Sequence, residues 1–127
     1  MKIYSAEQSA KTPFIEFDPA SGIFTMRGKS IPENTAVFYK PLFEWLAAYA
    51  ETPAKTTTVN LQMDYFNTSS AKIFADIFHV LEKLQESGKS AVTVNWQYNE
   101  DDDDMLEAGE DYKSITKVLF NFVPFKK

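Results

Sequence analysis

From Val59 to Tyr65 every second residue is apolar, and at Asn67 that rhythm stops abruptly. Val59, Leu61, Met63 and Tyr65 alternate with Thr58, Asn60, Gln62 and Asp64, so the stretch 56–66 has the pattern of a strand with one buried face. Beyond Asn67-Thr68-Ser69-Ser70 the apolar positions become Ile73, Phe74, Ile77, Phe78, Val80, Leu81 and Leu84, which cover one side of a helix. Lys72, Asp76, His79, Lys83 and Glu86 take the other side, and Gly88 stops the helix. A strand that runs straight into an amphipathic helix is the building unit of an α/β sheet.

The flanking sequence repeats the theme. Phe14, Ile15 and Phe17 and then Ile23, Phe24 and Met26 form two extended runs around Asp18-Pro19-Ala20-Ser21-Gly22, which predicts a hairpin. Gly28 is expected to end its second strand. Ser30-Ile31-Pro32-Glu33 fits a capping box, with Ser30 as N-cap of a helix reaching Tyr49 and Pro41 kinking or restarting it. Ala91 to Tyr98 reads as a strand with Val92, Val94, Trp96 and Tyr98 on one face. Met105 to Ile115 reads as a short helix interrupted near Gly109, and Val118, Phe120, Phe122 and Phe125 as a last strand. The expectation is a single α/β domain over 1–127, a mixed sheet of about five strands with helices packed against it.

Composition narrows the function. With 127 residues, 44% hydrophobic and 15% aromatic, the chain has ample material for one core. It has no cysteine, which excludes disulfides, thiolate nucleophiles and cysteine metal sites. The first residues lack a signal-like apolar stretch, and no run approaches the roughly 20 residues that span a bilayer, so a cytoplasmic protein without a membrane role is expected. Eight acids and no base lie between Glu100 and Asp111, leaving 10 acids against 13 bases elsewhere. Lysines and arginines are not clustered, which argues against nucleic acid as a partner. The acidic segment reads either as a solvated loop or as a second contact surface.

Parts for catalysis are scarce. His79, the only histidine, falls on the polar side of its helix, where a catalytic base lacks a pocket and an orienting partner. Four isolated glycines match no phosphate loop. Asp101 to Asp104 resemble the start of a calcium loop, but its sixth position is Leu106 where a turn glycine is needed. No metal and no cofactor is therefore expected. A small metal-dependent phosphohydrolase using Asp101 to Asp104 with Asp64 is the alternative from a different class, and a passive small-ligand binder in the strand-end cleft is a third.

The informative segment is Asn67-Thr68-Ser69-Ser70. Any of these residues can cap a helix by accepting from a free backbone N–H. One cap suffices, however, and four polar candidates exceed the need. A phosphate added at such a place would meet unpaired N–H groups and the positive end of the helix dipole.

Tyr65-Phe66-Asn67-Thr68-Ser69-Ser70-Ala71-Lys72 resembles the central motif of the SiaC family of bacterial regulatory phosphoproteins. Phe17-Asp18-Pro19-Ala20-Ser21-Gly22, Ser30-Ile31-Pro32-Glu33-Asn34 leading to Phe38-Tyr39, and Asp103-Asp104-Met105-Leu106-Glu107-Ala108-Gly109-Glu110 agree with it in order. Trp96-Gln97-Tyr98 departs from the pattern, which would carry a second aromatic at Gln97. The resemblance implies a fold similar to the STAS domains of anti-sigma-factor antagonists, and no enzymatic activity. It implies that a protein kinase phosphorylates Thr68, that a PP2C-type phosphatase restores it, and that the unphosphorylated form binds and activates a diguanylate cyclase in biofilm control. Asn67, Ser69, Ser70 and Lys72 are the expected partner-binding residues around it.

Overall fold

The computed structural model describes residues 1–126. Along the chain come β1 (Tyr4–Ala6), β2 (Phe14–Asp18), β3 (Ile23–Ser30), α1 (Thr35–Tyr49), β4 (Thr56–Phe66), α2 (Thr68–Glu86), β5 (Ala91–Asn99), α3 (Asp103–Ile115) and β6 (Leu119–Phe125). The strands form one sheet in sequence order, antiparallel from β1 to β3 and parallel from β3 to β6. The mixed α/β architecture is as expected, but the sheet has six strands rather than about five. The missed strand is β1, whose three residues are too few to show alternation and which is held by pairing Tyr4 with Phe17 and Ala6 with Ile15.

Each parallel neighbour is reached through one helix, and right-handed crossovers progressing in one direction put their helices on the same face. Burial follows that geometry. Phe24 and Met26, Val59 and Leu61, Val92 and Val94, Trp96 and Phe120 are buried beneath the helices. The opposite face carries Thr25, Asn60, Asn95 and Asn121 in one row across the strands, all exposed or half-exposed. Asn95 donates to Asn60 at 2.8 Å, and Asn121 donates to Asn95 at 3.1 Å. One face of the sheet is therefore packed, and the other is open, with this polar row across its middle and Ile23, Leu119 and Val123 exposed beside it.

Three local expectations are corrected. Ser30 is not a helix cap but the last residue of β3: Pro32 disfavours the helical conformation for Ile31, which would be the first helical residue after a Ser30 cap. The cap of α1 is Asn34, whose side chain accepts from the Val37 N–H at 3.1 Å, and the helix then runs unbroken through Pro41. Gly28 does not end β3. It sits at φ 110°, a conformation open to glycine, where the β3–β4 register shifts. There Gly28 and Lys29 face Met63 and Tyr65, so Asp64 is an extra residue in β4. Beyond that bulge the alternation reverses: Tyr65, expected inside, is 55% exposed, and Phe66 turns inward against Phe74, Trp96 and Tyr112.

Gly109, expected to interrupt α3, lies buried inside an unbroken helix. A Cβ there would come within 2.6 Å of the Trp96 indole and 2.8 Å of the Phe122 ring. The glycine lets the α3 backbone approach the sheet, and Trp96 Nε1 donates to the Met105 carbonyl at 2.9 Å.

Candidate functional site

In a parallel α/β sheet the carboxyl ends of the strands and the amino ends of the following helices share one edge, where ligands and partners bind. Here that edge collects the start of α1 after β3, of α2 after β4 and of α3 after β5. Asn34, Asn67 and Asp102 cap the three helices, each accepting from the N–H three residues on.

The start of α2 is bound to the end of β3 by a buried set of hydroxyls. Asn67 N–H donates to the Ser30 carbonyl at 3.1 Å, and Ser70 Oγ donates to the same carbonyl at 2.8 Å. Ser30 Oγ lies 2.7 Å from Ser70 Oγ and 2.6 Å from the Tyr39 hydroxyl. Because the Ser70 proton is spent on the carbonyl, Ser30 must donate to Ser70, and Tyr39 must donate to Ser30. The chain of protons thus runs in one direction from α1 to α2. Burial pushes the Tyr39 phenol up to about 12, so it stays a donor at neutral pH.

Thr68 is the first residue of α2 and is exposed, one position past the Asn67 cap. Ser69 and Lys72 are exposed beside it, and Asn67 is half-buried. Ser70, expected among the partner contacts, is 0% exposed and faces Ser30. It holds the turn in place instead of presenting a hydroxyl to a partner, since its side chain is spent inside the fold. Sequence reasoning missed the Ser30–Tyr39 half of this arrangement. The signal available was Pro32, which keeps Ile31 out of the helical conformation and so stops Ser30 from capping a helix.

On the far side of α2 lies α3. The Tyr112 hydroxyl donates to the Ala71 carbonyl at 2.8 Å, and burial holds its pKa well above the usual tyrosine range. The aspartate run forms the start of α3: Asp102 is the cap, and Asp103 and Asp104 stand in the first turn, where the helix dipole favours negative charge. Glu100 pairs with Lys126 at 3.9 Å. Asp64, Asp102 and Asp104 do border one groove, yet among the described residues no three His, Cys, Asp or Glu side chains are grouped to hold a metal ion. His79 is exposed, with Nδ1 at 3.8 Å from Glu82. Glu82 itself accepts from the Lys117 N–H at 2.6 Å, which lowers its pKa. No helix of the described residues is long and apolar enough to cross a membrane.

The whole chain has counterparts of known structure. The crystal structure of apo-SiaC from Pseudomonas aeruginosa superposes with a TM-score of 0.89 at 25% identity, covering 97% of this chain and 99% of that one. SiaC in the crystal structure of the diguanylate cyclase SiaD in complex with its activator, from the same organism, gives a TM-score of 0.89 at 24% identity over 96% and 99% of the two chains. An uncharacterized Pseudomonas aeruginosa protein is 28% identical over 109 residues, 86% of either chain. The profile of the SiaC family regulatory phosphoproteins matches residues 6–125. With nearly every described residue inside that match, and the strand-to-helix motif at Thr68 at its centre, the chain belongs to the SiaC family of regulatory phosphoproteins.

Proposed function

We infer that this protein activates a diguanylate cyclase by binding it, and that reversible phosphorylation of Thr68 switches the binding off. A protein kinase adds the phosphate, a PP2C-type phosphatase removes it, and the protein itself catalyses nothing. The observation that carries the reading is the placement of Thr68: exposed, first in α2, and beside a buried Ser70 that is withheld from modification. Support also comes from the family, since SiaC of Pseudomonas aeruginosa is the activator of the cyclase SiaD.

A phosphate at this position would be met by free N–H groups and the helix dipole, so the domain has little reason to rearrange. A partner surface fitted to a neutral hydroxyl would instead have to bury nearly two negative charges, at a cost of several kcal/mol. A loss of about 3 kcal/mol already weakens binding by about two orders of magnitude. The test is binding of the cyclase to wild type and to Thr68→Glu, with mass spectrometry of kinase-treated wild type and Thr68→Ala. The expected results are loss of the cyclase by the Glu variant and no phosphate on the Ala variant. Undiminished binding by the Glu variant, or phosphate appearing on Ser69 in the Ala variant, would overturn the reading.

A further inference from the structure

Between the first turns of α2 and the middle of α3 runs a groove of about 340 Å³. Phe66 and Tyr112 line it with aromatic surface, and Ala71, Ala75 and Ala108 keep it open, because longer side chains at those positions would fill it. Its rim carries Thr68 and Lys72 on one helix and Asp111 on the other. The Tyr112–Ala71 hydrogen bond fixes the separation of its two walls.

On the α3 side the groove is bordered by acids. Asp103, Glu107 and Glu110 recur along α3 at helical spacing, one residue round from Asp104, Ala108 and Asp111. All five of these acids are exposed, and none is ion-paired among the described residues. Like charges one turn apart repel, and cations brought by another molecule would relieve that repulsion. Apolar walls beside an uncompensated acidic row match an amphipathic helix with large apolar side chains on one side and bases flanking them.

We propose that the α2–α3 groove receives a large apolar side chain from a basic amphipathic helix of the partner cyclase, while the carboxylates of α3 pair with that helix's lysines or arginines. This deepens the reading of the protein as a cyclase activator and rests on it. It also gives the switch a physical form. Thr68 and Lys72 are one turn apart on α2 and both border the groove, so a phosphate on Thr68 draws the Lys72 ammonium to it along the α2 rim. An apolar side chain entering the groove would then have to desolvate this charged pair, a cost that opposes the attraction of one more negative charge for a basic helix.

The experiment measures binding and activation of the source organism's diguanylate cyclase whose output the wild-type protein raises. Four proteins are compared: wild type, Ala75→Leu/Ala108→Leu, which fills the groove with good helix formers, Glu107→Lys/Glu110→Lys, and Thr68→Glu. Circular dichroism establishes that each is folded. The groove-filled and charge-reversed proteins are expected to bind at least about tenfold more weakly, and wild-type affinity to fall as salt rises from about 0.05 to about 0.5 M. Binding by the groove-filled protein within about twofold of wild type overturns the proposal, as does an affinity indifferent to salt. If Thr68→Glu loses the cyclase while the groove-filled protein keeps it, the groove assignment falls and the switch stands. If Thr68→Glu binds like wild type while the groove-filled protein does not, the switch falls and the groove stands.

Discussion

Tyr39, Ser30 and Ser70 tie three elements together through hydrogens that have only one consistent arrangement. Removing the first donor with Tyr39→Phe is expected to cost about 0.5–1.5 kcal/mol, the net worth of such a bond. Its pH dependence has a definite sign. The phenol titrates near 10 when unfolded and at about 12 when folded, so its contribution is complete below pH 10 and is lost as pH rises towards 12. Two units correspond to about 2–3 kcal/mol, and Tyr39→Phe should show an alkaline decline shallower than wild type by that amount. Urea unfolding across this range measures the difference. The Thr68 end of the arrangement was legible in the sequence, because a strand period changing to a helix period locates a helix start. The roles of the hydroxyls were not. Capping and buried hydrogen bonding call on the same residue types, and only the fold tells Asn67, which caps, from Ser70, which is buried.

Elements long enough to show a period were legible as such: β4, α2 and β5 stand where alternation and helical spacing put them. The errors fall where one residue type serves two purposes. A glycine inside a helical pattern reads as a break, yet at Gly109 the absent Cβ makes room for Trp96. Alanine is intrinsically better than glycine in a helix by about 1 kcal/mol. Gly109→Ala should nonetheless destabilise the protein, by about 1–3 kcal/mol, because its methyl collides with a buried indole ring that has nowhere to move. Thermal unfolding reads the loss, and tryptophan fluorescence reports the displacement of α3 from Trp96. An increase in stability would mean that α3 can shift without disturbing the sheet.

At the level of the whole molecule, α1 is secured at both ends by the same chemistry. Tyr39 near its start reaches Ser30, which in turn bonds Ser70, and Tyr49 at its end reaches Thr57 at 2.8 Å, which lies 2.7 Å from Ser90. The edge that carries Thr68 is thus fixed against the rest of the fold, which suits a site that signals by added charge. The extra residue in β4 decides which side chain faces the core where that strand ends. Through Met63 the inward side chains of β4 carry odd numbers; after Asp64 it is the even Phe66 that points inward while Tyr65 points out. Deleting Asp64 leaves Met63 inward, Tyr65 outward and Phe66 inward in plain alternation, so the Asn67 cap and hydrogen exchange in the first turn of α2 are expected to be preserved. Markedly faster exchange there would show that the bulge itself, and not only the alternation around it, holds the start of α2. The bulge brings Phe66 into the core and the chain to the Asn67 cap, and from there the helical period takes over, turning Thr68 out to solvent and Ser70 in against Ser30: the sheet sets where the hydroxyl cluster stands, and the helix sets which hydroxyl an enzyme can reach.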